Sequence, residues 1–360
     1  MAFDPIEEDC KRLVLAEIRR EHVSPEESSL YAARCTRAYR KDPASLIHTK
    51  EERSFHLTAK AAELLDYRVP FCTDENELDR QTDQAEHYLQ EAVELDENNW
   101  DAKRMLFALD VESNEEYVDY LTEHPDEVKS SSEGRKPEDE PDPDLRSLGD
   151  DLAISPYLRW LAALSSRSLI AGRYKLAYET AEKSLSYEQR DPAGIRHTGM
   201  LALAKLESTT QTLADYRSRH ETAYHSSAAR SRRHRRRGER DAWTLLAEMN
   251  VAYRSMDMEA AEGALGELIR SYSGAAETLY YQAELPEGIY SRLNIEPHSE
   301  DELILAVSEA TPLLQEGYGA PDSASFSVWI AENDQVQGAL DPKSPRFEPL
   351  SNAPRTGGES

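Results

Sequence analysis

A basic segment is the most concentrated chemistry in this sequence. Between residues 217 and 240 the chain carries nine arginines against two glutamates. Five of these arginines stand almost side by side: Arg232, Arg233, Arg235, Arg236 and Arg237. Guanidinium groups at this density neutralise phosphates and release counterions, which is how a nucleic-acid-associated factor binds. The same groups pair with an acidic protein surface, including this chain's own acidic segments, or stand in an exposed loop that Gly238 closes.

The charge of the whole chain opposes the first of these uses. The formal net charge is -27 at neutral pH, and a field of this sign repels nucleic acid and anionic membranes. Proteins that bind single strands interleave aromatic and basic side chains, but only Tyr216 and Tyr224 accompany the arginines here. Membranes and nucleic acids are therefore not the expected partners. Nucleic-acid association through residues 230–237 stays open as an alternative.

Motifs of enzymes and cofactor sites are missing from the sequence. It contains no phosphate-binding P-loop and no Gly-x-Ser-x-Gly nucleophile turn, and Gly317-Tyr318-Gly319 lacks the third glycine of a dinucleotide site. His220 and His225 are five residues apart, so on a helix they diverge by about 140° instead of sharing one face as zinc ligands do. We expect a protein without enzymatic activity, metal or cofactor, with an enzyme of unrecognised site as the alternative.

The cysteines and the N-terminal residues indicate a cytoplasmic protein. Three cysteines, Cys10, Cys35 and Cys72, are odd in number and widely spaced, which fits neither a disulfide framework nor a zinc knuckle. The first residues are acidic and lack the basic and apolar regions of a signal peptide. The most apolar stretch, residues 157–172, is short and contains two arginines, so no membrane span is expected.

Helical periodicity predicts the elements of the N-terminal part. Ser24-Pro25 predicts the start of a helix that ends at Asp42-Pro43. A second helix is expected over residues 54–67, with its leucines and alanines on one face, and a third from about Thr73.

Composition divides the chain into four parts. Residues 1–124 are predicted to be helical hairpins, and residues 125–150, which are rich in proline, serine and acidic side chains, an acidic flexible linker. Residues 151–340 resume the helical pattern and end in a variant C-terminal cap. Residues 341–360 carry four prolines and a Gly-Gly pair and are predicted to be a disordered tail.

An internal repeat is the clearest signal of architecture. In residues 158–191 two apolar residues anchor a first helix, and Gly172-Arg173-Tyr174 gives a tight turn. Ala177, Ala181 and Ser184 then line a second helix at i, i+4 and i+7, where a close helix crossing admits only small side chains. Asp191-Pro192 opens the next unit.

Other segments carry parts of the same pattern. Ile195 and Gly199 take the first apolar and the small crossing positions of the following unit. Later units are marked by these residues: Trp243, Leu246, Ala247, Ala261, Leu265 and Leu268. In the N-terminal half, Ala85, Leu89 and Ala92 repeat the second-helix spacing. A non-repetitive helical bundle is the alternative, because alanine and leucine recur at these spacings in any amphipathic helix.

These units resemble tetratricopeptide proteins, whose repeats of about 34 residues fold as two antiparallel helices. Two stretches, residues 156–196 and Ala92 to Lys103, also resemble bacterial relatives of the "suppressor of tumorigenicity seven" family, as does the region from Trp243 to about Leu314. The resemblance implies an all-α fold of helical hairpins stacked as a solenoid. Its first helices line a concave groove that suits an extended or helical peptide.

The predicted function follows from that groove: a non-catalytic scaffold for a protein or peptide partner of unspecified identity. Four basic residues of the predicted first helices are candidates to meet an acidic or C-terminal ligand: Arg159, Arg196, His197 and Lys205. Ala162 and Ser166 stand where some chaperone-binding members hold a two-carboxylate clamp, so that ligand is not expected. The alternative for these four residues is an ordinary solvated surface.

We predict that nucleic acid binds the arginine segment weakly and without sequence preference. The local charge of +7 (nine arginines minus two glutamates) lies in a chain of -27, so long-range attraction is opposed. The logarithm of the affinity should fall with the logarithm of the salt concentration, with a slope of about -0.9 for each neutralised phosphate of B-DNA. Replacing the five clustered arginines with serine should abolish the binding. Filter binding over a salt series measures this, and tight, sequence-selective binding at about 0.2 M salt would contradict it.

Overall fold

The computed structural model describes residues 4–136, 140–228, 240–281, 295, 298–314 and 325–341. These residues form helices joined by short turns, with no β-strand among them, so the predicted all-α class is confirmed. The α-helices of the described residues are α1 (Pro5–Arg20), α2 (Pro25–Lys41), α3 (Lys50–Glu63), α4 (Glu75–Leu95), α5 (Trp100–Asp110), α6 (Asn114–Glu123), α7 (Pro125–Glu133), α8 (Pro143–Ile170), α9 (Tyr174–Tyr187), α10 (Ile195–Lys205), α11 (Thr210–Arg219), α12 (Glu221–Ala228), α13 (Ala242–Arg254), α14 (Met258–Ser271), α15 (Ala275–Tyr281), α16 (Glu300–Glu309), α17 (Thr311–Leu314), α18 (Ser325–Glu332) and α19 (Asp334–Ala339).

The capping residues explain where the N-terminal helices begin. Helix α2 starts at Pro25 and ends before Asp42, as predicted, although the Ser24 side chain makes no capping hydrogen bond. Helix α3 starts at Lys50, four residues earlier than the helix predicted over residues 54–67. The reason is that Thr49 and Glu52 form a reciprocal capping box. The Glu52 amide donates to Thr49 Oγ1 at 3.1 Å, and the Thr49 amide donates to Glu52 Oε2 at 3.0 Å. Two otherwise unpaired amides of the first turn are thereby satisfied.

Three helical hairpins turn in the same way. The pairs α1–α2, α8–α9 and α13–α14 each pass through a left-handed residue, which is His22, Gly172 and Met256 respectively. At the second turn the Arg173 amide donates to the Ser168 carbonyl at 2.8 Å, the bond of a Schellman motif. The equivalent bond is present in the other two turns, at 3.1 Å and 2.9 Å. The chain therefore repeats one hairpin geometry with different residues.

The long helix α8 joins two apolar cores. Leu145 near its start packs against a cluster built by α1 and α2, whereas Tyr157 and Trp160 belong to the large core of the C-terminal half. Despite its 28 residues, this helix does not provide a membrane span, and no other described helix is both long and apolar enough to do so. The first turns of α8 and its later turns are therefore packed into different cores.

A proline inside α8 is compensated by the first helix of the chain. Pro156 has no N–H, so the carbonyl of Leu152, four residues earlier, cannot receive its helical hydrogen bond. Arg12 of α1 donates its Nη2 to that carbonyl at 2.5 Å. The same guanidinium lies over the Phe55 ring of α3, with its central carbon 4.1 Å from the ring centre. Arg12 thus links α1, α3 and the part of α8 that contains Pro156.

Small residues allow the helices of the C-terminal half to cross closely. Ala177 and Ala181 of α9 are fully buried, as the spacing predicts. Ser165 Oγ of α8 donates to the Ala177 carbonyl at 2.8 Å, so a side chain of one helix touches the backbone of the next. A Cβ added at Gly199 of α10 would lie 2.9 Å from the Ala181 Cβ and 2.2 Å from the Tyr216 hydroxyl. No larger residue fits there without displacing a neighbour.

The segment predicted as a flexible acidic linker, residues 125–150, differs from that prediction. It contains α7 and the first turns of α8, and residues 137–139 lie outside the described part. Val128 is fully buried, and the Glu140 carboxylate accepts from Arg19 Nε of α1 at 3.0 Å. Helices α6 and α7 pack against α8, so no break separates residues 1–124 from the rest. The partners that order this segment are far away in sequence, which composition alone does not reveal. The predicted tail beyond Asp341 also lies outside the described residues.

We predict that the energetic coupling between Arg12 and Pro156 is measurable. Replacing Arg12 with methionine leaves the Leu152 carbonyl without a donor, whereas in a Pro156→Ala background the alanine N–H restores the helical bond. Arg12→Met should therefore destabilise the wild type by about 1 kcal/mol more than it destabilises Pro156→Ala. The lost Glu8 and Phe55 contacts are common to both backgrounds and cancel. Urea unfolding of the four variants measures the difference, and equal costs in the two backgrounds would refute the compensation.

Candidate functional site

Arg159, the first of the four predicted groove residues, is engaged inside the chain. Its side chain on α8 is 14% exposed and lies between α1 and α5. Arg159 Nε donates to Asp101 Oδ1 at 3.0 Å, and its Nη1 donates to Glu8 Oε2 at 2.8 Å. Its Nη2 also bonds Asp101. The arginine predicted to meet a ligand thus holds three helices together.

These residues belong to a compact ionic cluster, which we call the α1–α5–α8 cluster: Glu8, Arg12, Asp101, Arg104 and Arg159. Burial alone would raise the pKa of Asp101, but the charge and hydrogen bonds of Arg159 outweigh it and lower this pKa to about 2. Burial and the nearby charge of Arg159 lower the pKa of Arg12. Arg159 itself has a raised pKa, because the two carboxylates more than compensate its burial.

Arg196 is held in a second buried site at the start of α10. Its Nη1 donates to Asp191 Oδ2 at 2.9 Å. The same carboxylate accepts the backbone amides of Ile195 at 2.9 Å and Arg196 at 3.1 Å, so Asp191 also caps the helix. Gly194, between them, adopts a left-handed conformation with φ of 71° that few other residues tolerate. Only 7% of Arg196 is exposed, so it lies inside the packing instead of on an open face.

His197 lies beside a tryptophan and a carboxyl group from later helices. Its ring stacks on Trp243 of α13 with centroids 3.8 Å apart, and its Nδ1 is 4.0 Å from Asp241 Oδ2. Trp243 Nε1 donates to Glu309 Oε2 at 2.6 Å, which brings α16 over α13. Three helices therefore meet at one partly polar contact.

The charges at this contact shift two carboxyl groups in opposite directions. Burial raises the pKa of Glu309 to about 7, although the Trp243 hydrogen bond and the charge of Arg196 oppose the rise. Burial would also raise the pKa of Asp241, but the charges of His197 and Arg196 outweigh it and lower that pKa. Glu309 is therefore a carboxyl group that titrates near neutral pH.

The fourth predicted residue, Lys205, lies at the other end of α10. Its Nζ is 4.9 Å from the centre of the Tyr174 ring at the start of α9, a cation–π distance. The four predicted residues thus occupy three separate places, and Arg159, Arg196 and His197 are largely buried against neighbouring helices. The structure differs here from the prediction of one basic groove, because each side chain finds a carboxylate or an aromatic ring supplied by another helix.

Sequence reasoning missed a further buried pair. His56 Nδ1 lies 2.6 Å from Asp9 Oδ2, and the Tyr39 hydroxyl donates to the same oxygen at 2.7 Å. Asp9 is fully buried. Because one carboxylate serves both side chains, it joins α1, α2 and α3 in one network. The residues are 30 and 47 positions apart from Asp9, so no local spacing signals the contact.

The remaining candidate residues and the comparisons add no further group to the site. The predicted basic patch of Arg232, Arg233, Arg235, Arg236 and Arg237 lies outside the described residues. Within the described ranges, no group of three or more His, Cys, Asp or Glu side chains is placed to hold a metal ion. Comparison of the chain with protein-family models, curated proteins and solved structures finds no match. The resemblance to tetratricopeptide proteins therefore rests on the residues quoted above.

We predict that Glu309 makes the stability of the protein fall as the pH rises. A carboxyl group whose folded pKa is raised binds its proton more tightly in the folded state, so stability is lost from its ordinary pKa of 4.5 up to about 7. Glu309→Gln fixes the neutral form and keeps an acceptor for Trp243. It should leave stability near pH 5 almost unchanged and raise it near pH 8 by about 1–3 kcal/mol.

Urea unfolding at the two pH values measures this change. Glu179→Gln on α9 is the matched control, because that carboxylate is mostly exposed and should give no such pH-dependent gain. An equal effect of Glu309→Gln at both pH values would show that Glu309 has an ordinary pKa.

Proposed function

We propose that the chain is a non-catalytic scaffold of tetratricopeptide-like hairpins, stacked as a solenoid, that binds a protein or peptide partner on its concave face. The observation that supports this most directly is the side-by-side arrangement of α8, α10 and α13, each of which turns back into a second helix. In such a stack the first helices together form one continuous surface. A peptide lying across several of them contacts more side chains than one helix offers.

Contacts at both ends of these helices support a parallel arrangement. His197 at the start of α10 meets Trp243 at the start of α13, and Arg254 at the end of α13 donates to the Ala204 carbonyl near the end of α10 at 3.1 Å. On the other side, Arg190 just before α10 bonds Asp151 in the N-terminal half of α8 at 2.5 Å. Parallel first helices are what a tetratricopeptide stack requires.

The chain covers part of this surface with its own helices. Helix α16 packs on α13, and α17 packs on α10. The face of α10 that contains His197, Met200 and Ala204 is buried accordingly. A partner therefore finds no open surface on these two helices, and the binding surface must lie elsewhere in the stack.

One face of α8 provides that open surface. Ala162, Ser166 and Ile170 follow Arg159 along the helix at spacings of three and four residues, so they share a face. Ser166 and Ile170 are exposed, and Ala162 is partly buried. Small side chains along a helix let a partner's backbone approach closely, and an exposed isoleucine supplies apolar area for it to cover. We assign partner binding to this face of α8, which is formed by Ala162, Ser166 and Ile170.

The assignment predicts a position-specific crosslink. A photo-reactive benzoylphenylalanine at position 166 should give a covalent adduct with a partner when the protein is illuminated in its native cells. The same residue at position 179, which is exposed on the second helix α9, should give none. Gel mobility and mass spectrometry of the purified protein read the result. Adducts at neither position, or equal adducts at both, would contradict binding on the α8 face.

A further inference from the structure

The α1–α5–α8 cluster carries more positive than negative charge. Its guanidinium groups belong to Arg12, Arg104 and Arg159, and its carboxylates to Glu8 and Asp101. All five side chains are less than one-fifth exposed. Ions removed from water need partners of opposite charge, since the interior solvates them poorly. The cluster therefore holds one positive charge that the residues of the cluster do not neutralise.

Two of the three arginines have fixed partners. Arg12 donates to Glu8 Oε1 from Nε at 2.9 Å and from Nη2 at 2.6 Å, and also bonds the Leu152 carbonyl. Arg159 pairs with both carboxylates through all three of its nitrogens. These contacts hold three helices together. The two carboxylates are consequently already used as acceptors.

Arg104 is the third arginine, and its guanidinium forms no hydrogen bond with the other members of the cluster. The closest carboxylate oxygen, Asp101 Oδ1, is 3.7 Å from its Nη2, too far for a hydrogen bond. Its Nε is buried and has no hydrogen-bond partner in the part of the chain that the structure describes. The residue is only 9% exposed. Nearly all buried donors in proteins are paired, and a charged donor without a partner is costly.

Helix α6 lies next to Arg104 and contacts its backbone. Arg104 lies on α5, and the Tyr117 hydroxyl of α6 donates to its backbone carbonyl at 3.4 Å. Its charge also acts on the phenol of Tyr120, one turn further along α6. Asp101, three residues earlier on α5, is hydrogen-bonded by Arg159, and its Oδ1 stays 3.7 Å from Arg104 Nη2. A buried guanidinium with unused donors and surplus charge around it suits planar or tetrahedral oxyanions.

We propose that Arg104, supported by the charges of Arg12 and Arg159, is a binding site for an oxyanion, either a carboxylate or a phosphate. The anion accepts hydrogen bonds from the Arg104 guanidinium and brings the cluster to neutrality. Arg104 is the binding residue, and Arg12 and Arg159 position the helices and supply charge. This site does not depend on the scaffold function proposed above, because a small anion alone suffices to occupy it.

Thermal unfolding in matched salts tests the site. The full chain is titrated with sodium phosphate, sodium acetate or sodium chloride at equal ionic strength, so that general screening is the same in each series. Phosphate or acetate should raise the melting temperature by about 2 °C or more above the chloride series, because a ligand that binds only the folded state stabilises it. Because phosphate also stabilises folded proteins in general by exclusion from their surface, a response to phosphate alone identifies phosphate as the ligand class only if Arg104→Gln abolishes it, and a response to acetate identifies a carboxylate on the same condition. No difference from chloride in either series overturns the proposal.

Substitutions at Arg104 show whether the anion-dependent rise in melting temperature comes from this residue. Arg104→Gln should remove the anion-dependent rise, and in chloride its melting temperature should equal or exceed that of the wild type, because a surplus buried charge is gone. Arg173→Gln is the matched control, since it removes a more exposed arginine on the α8–α9 turn and should keep the full response. If Arg104→Gln does not fold, Arg104→Lys keeps the charge without the planar fork. Its half-maximal anion concentration should rise about 10-fold.

The arginine segment is the rival source of any anion effect. A rise that persists in both Arg104 variants but disappears when Arg232, Arg233, Arg235, Arg236 and Arg237 are replaced with serine would place binding there and overturn the proposal. A rise that survives the serine variant and is lost in Arg104→Gln supports it.

Discussion

The architecture depends on one buried arginine more than on any other polar group. Arg159 on α8 bonds Glu8 of α1 and Asp101 of α5, and thereby attaches the N-terminal helices to the C-terminal half. Removing one partner of a buried ion pair leaves the other uncompensated at a cost of about 3–5 kcal/mol. The attachment is also directional, because the two carboxylates fix the rotation of α1 and α5 about α8. Arg12 reinforces it by bonding the carbonyl that Pro156 leaves free.

Close helix crossings supply the second constraint. Gly199, Ala177 and Ala181 remove side-chain volume where α9 and α10 approach, and Tyr216 fills the space that glycine leaves. Three hairpins share a left-handed turn residue and the same Schellman hydrogen bond. Together these features explain how hairpins with different sequences adopt the same geometry. One face of α8 stays open, whereas α16 packs on α13 and α17 packs on α10.

The buried charges of this fold are not all paired. The buried site around Arg159 brings together arginines and carboxylates from three helices, whereas Arg196 pairs with Asp191, five residues earlier in the chain. Glu309 and Arg104 are the groups whose charge is not fully offset there. Such groups are retained at a cost in stability, so they are the natural positions for titration and for ligand binding. The open face of α8 and the Arg104 guanidinium lie on neighbouring helices, α8 and α5.

The sequence by itself determined the all-α class, the start and end of α2, and the small residues at the crossing of α9. These depend on interactions between residues a few positions apart, such as the periodicity of Ala177 and Ala181 or the turn at Gly172. It did not determine the order in residues 125–150, the burial of Arg159, Arg196 and His197, or the pairing of Asp9 with His56. Each of these is decided by a partner from another helix, as with Arg159 and Glu8, 151 residues apart. Only the tertiary structure decided them, because burial and ion pairing are set by the distance between side chains in space, which the spacing of residues along the chain does not encode.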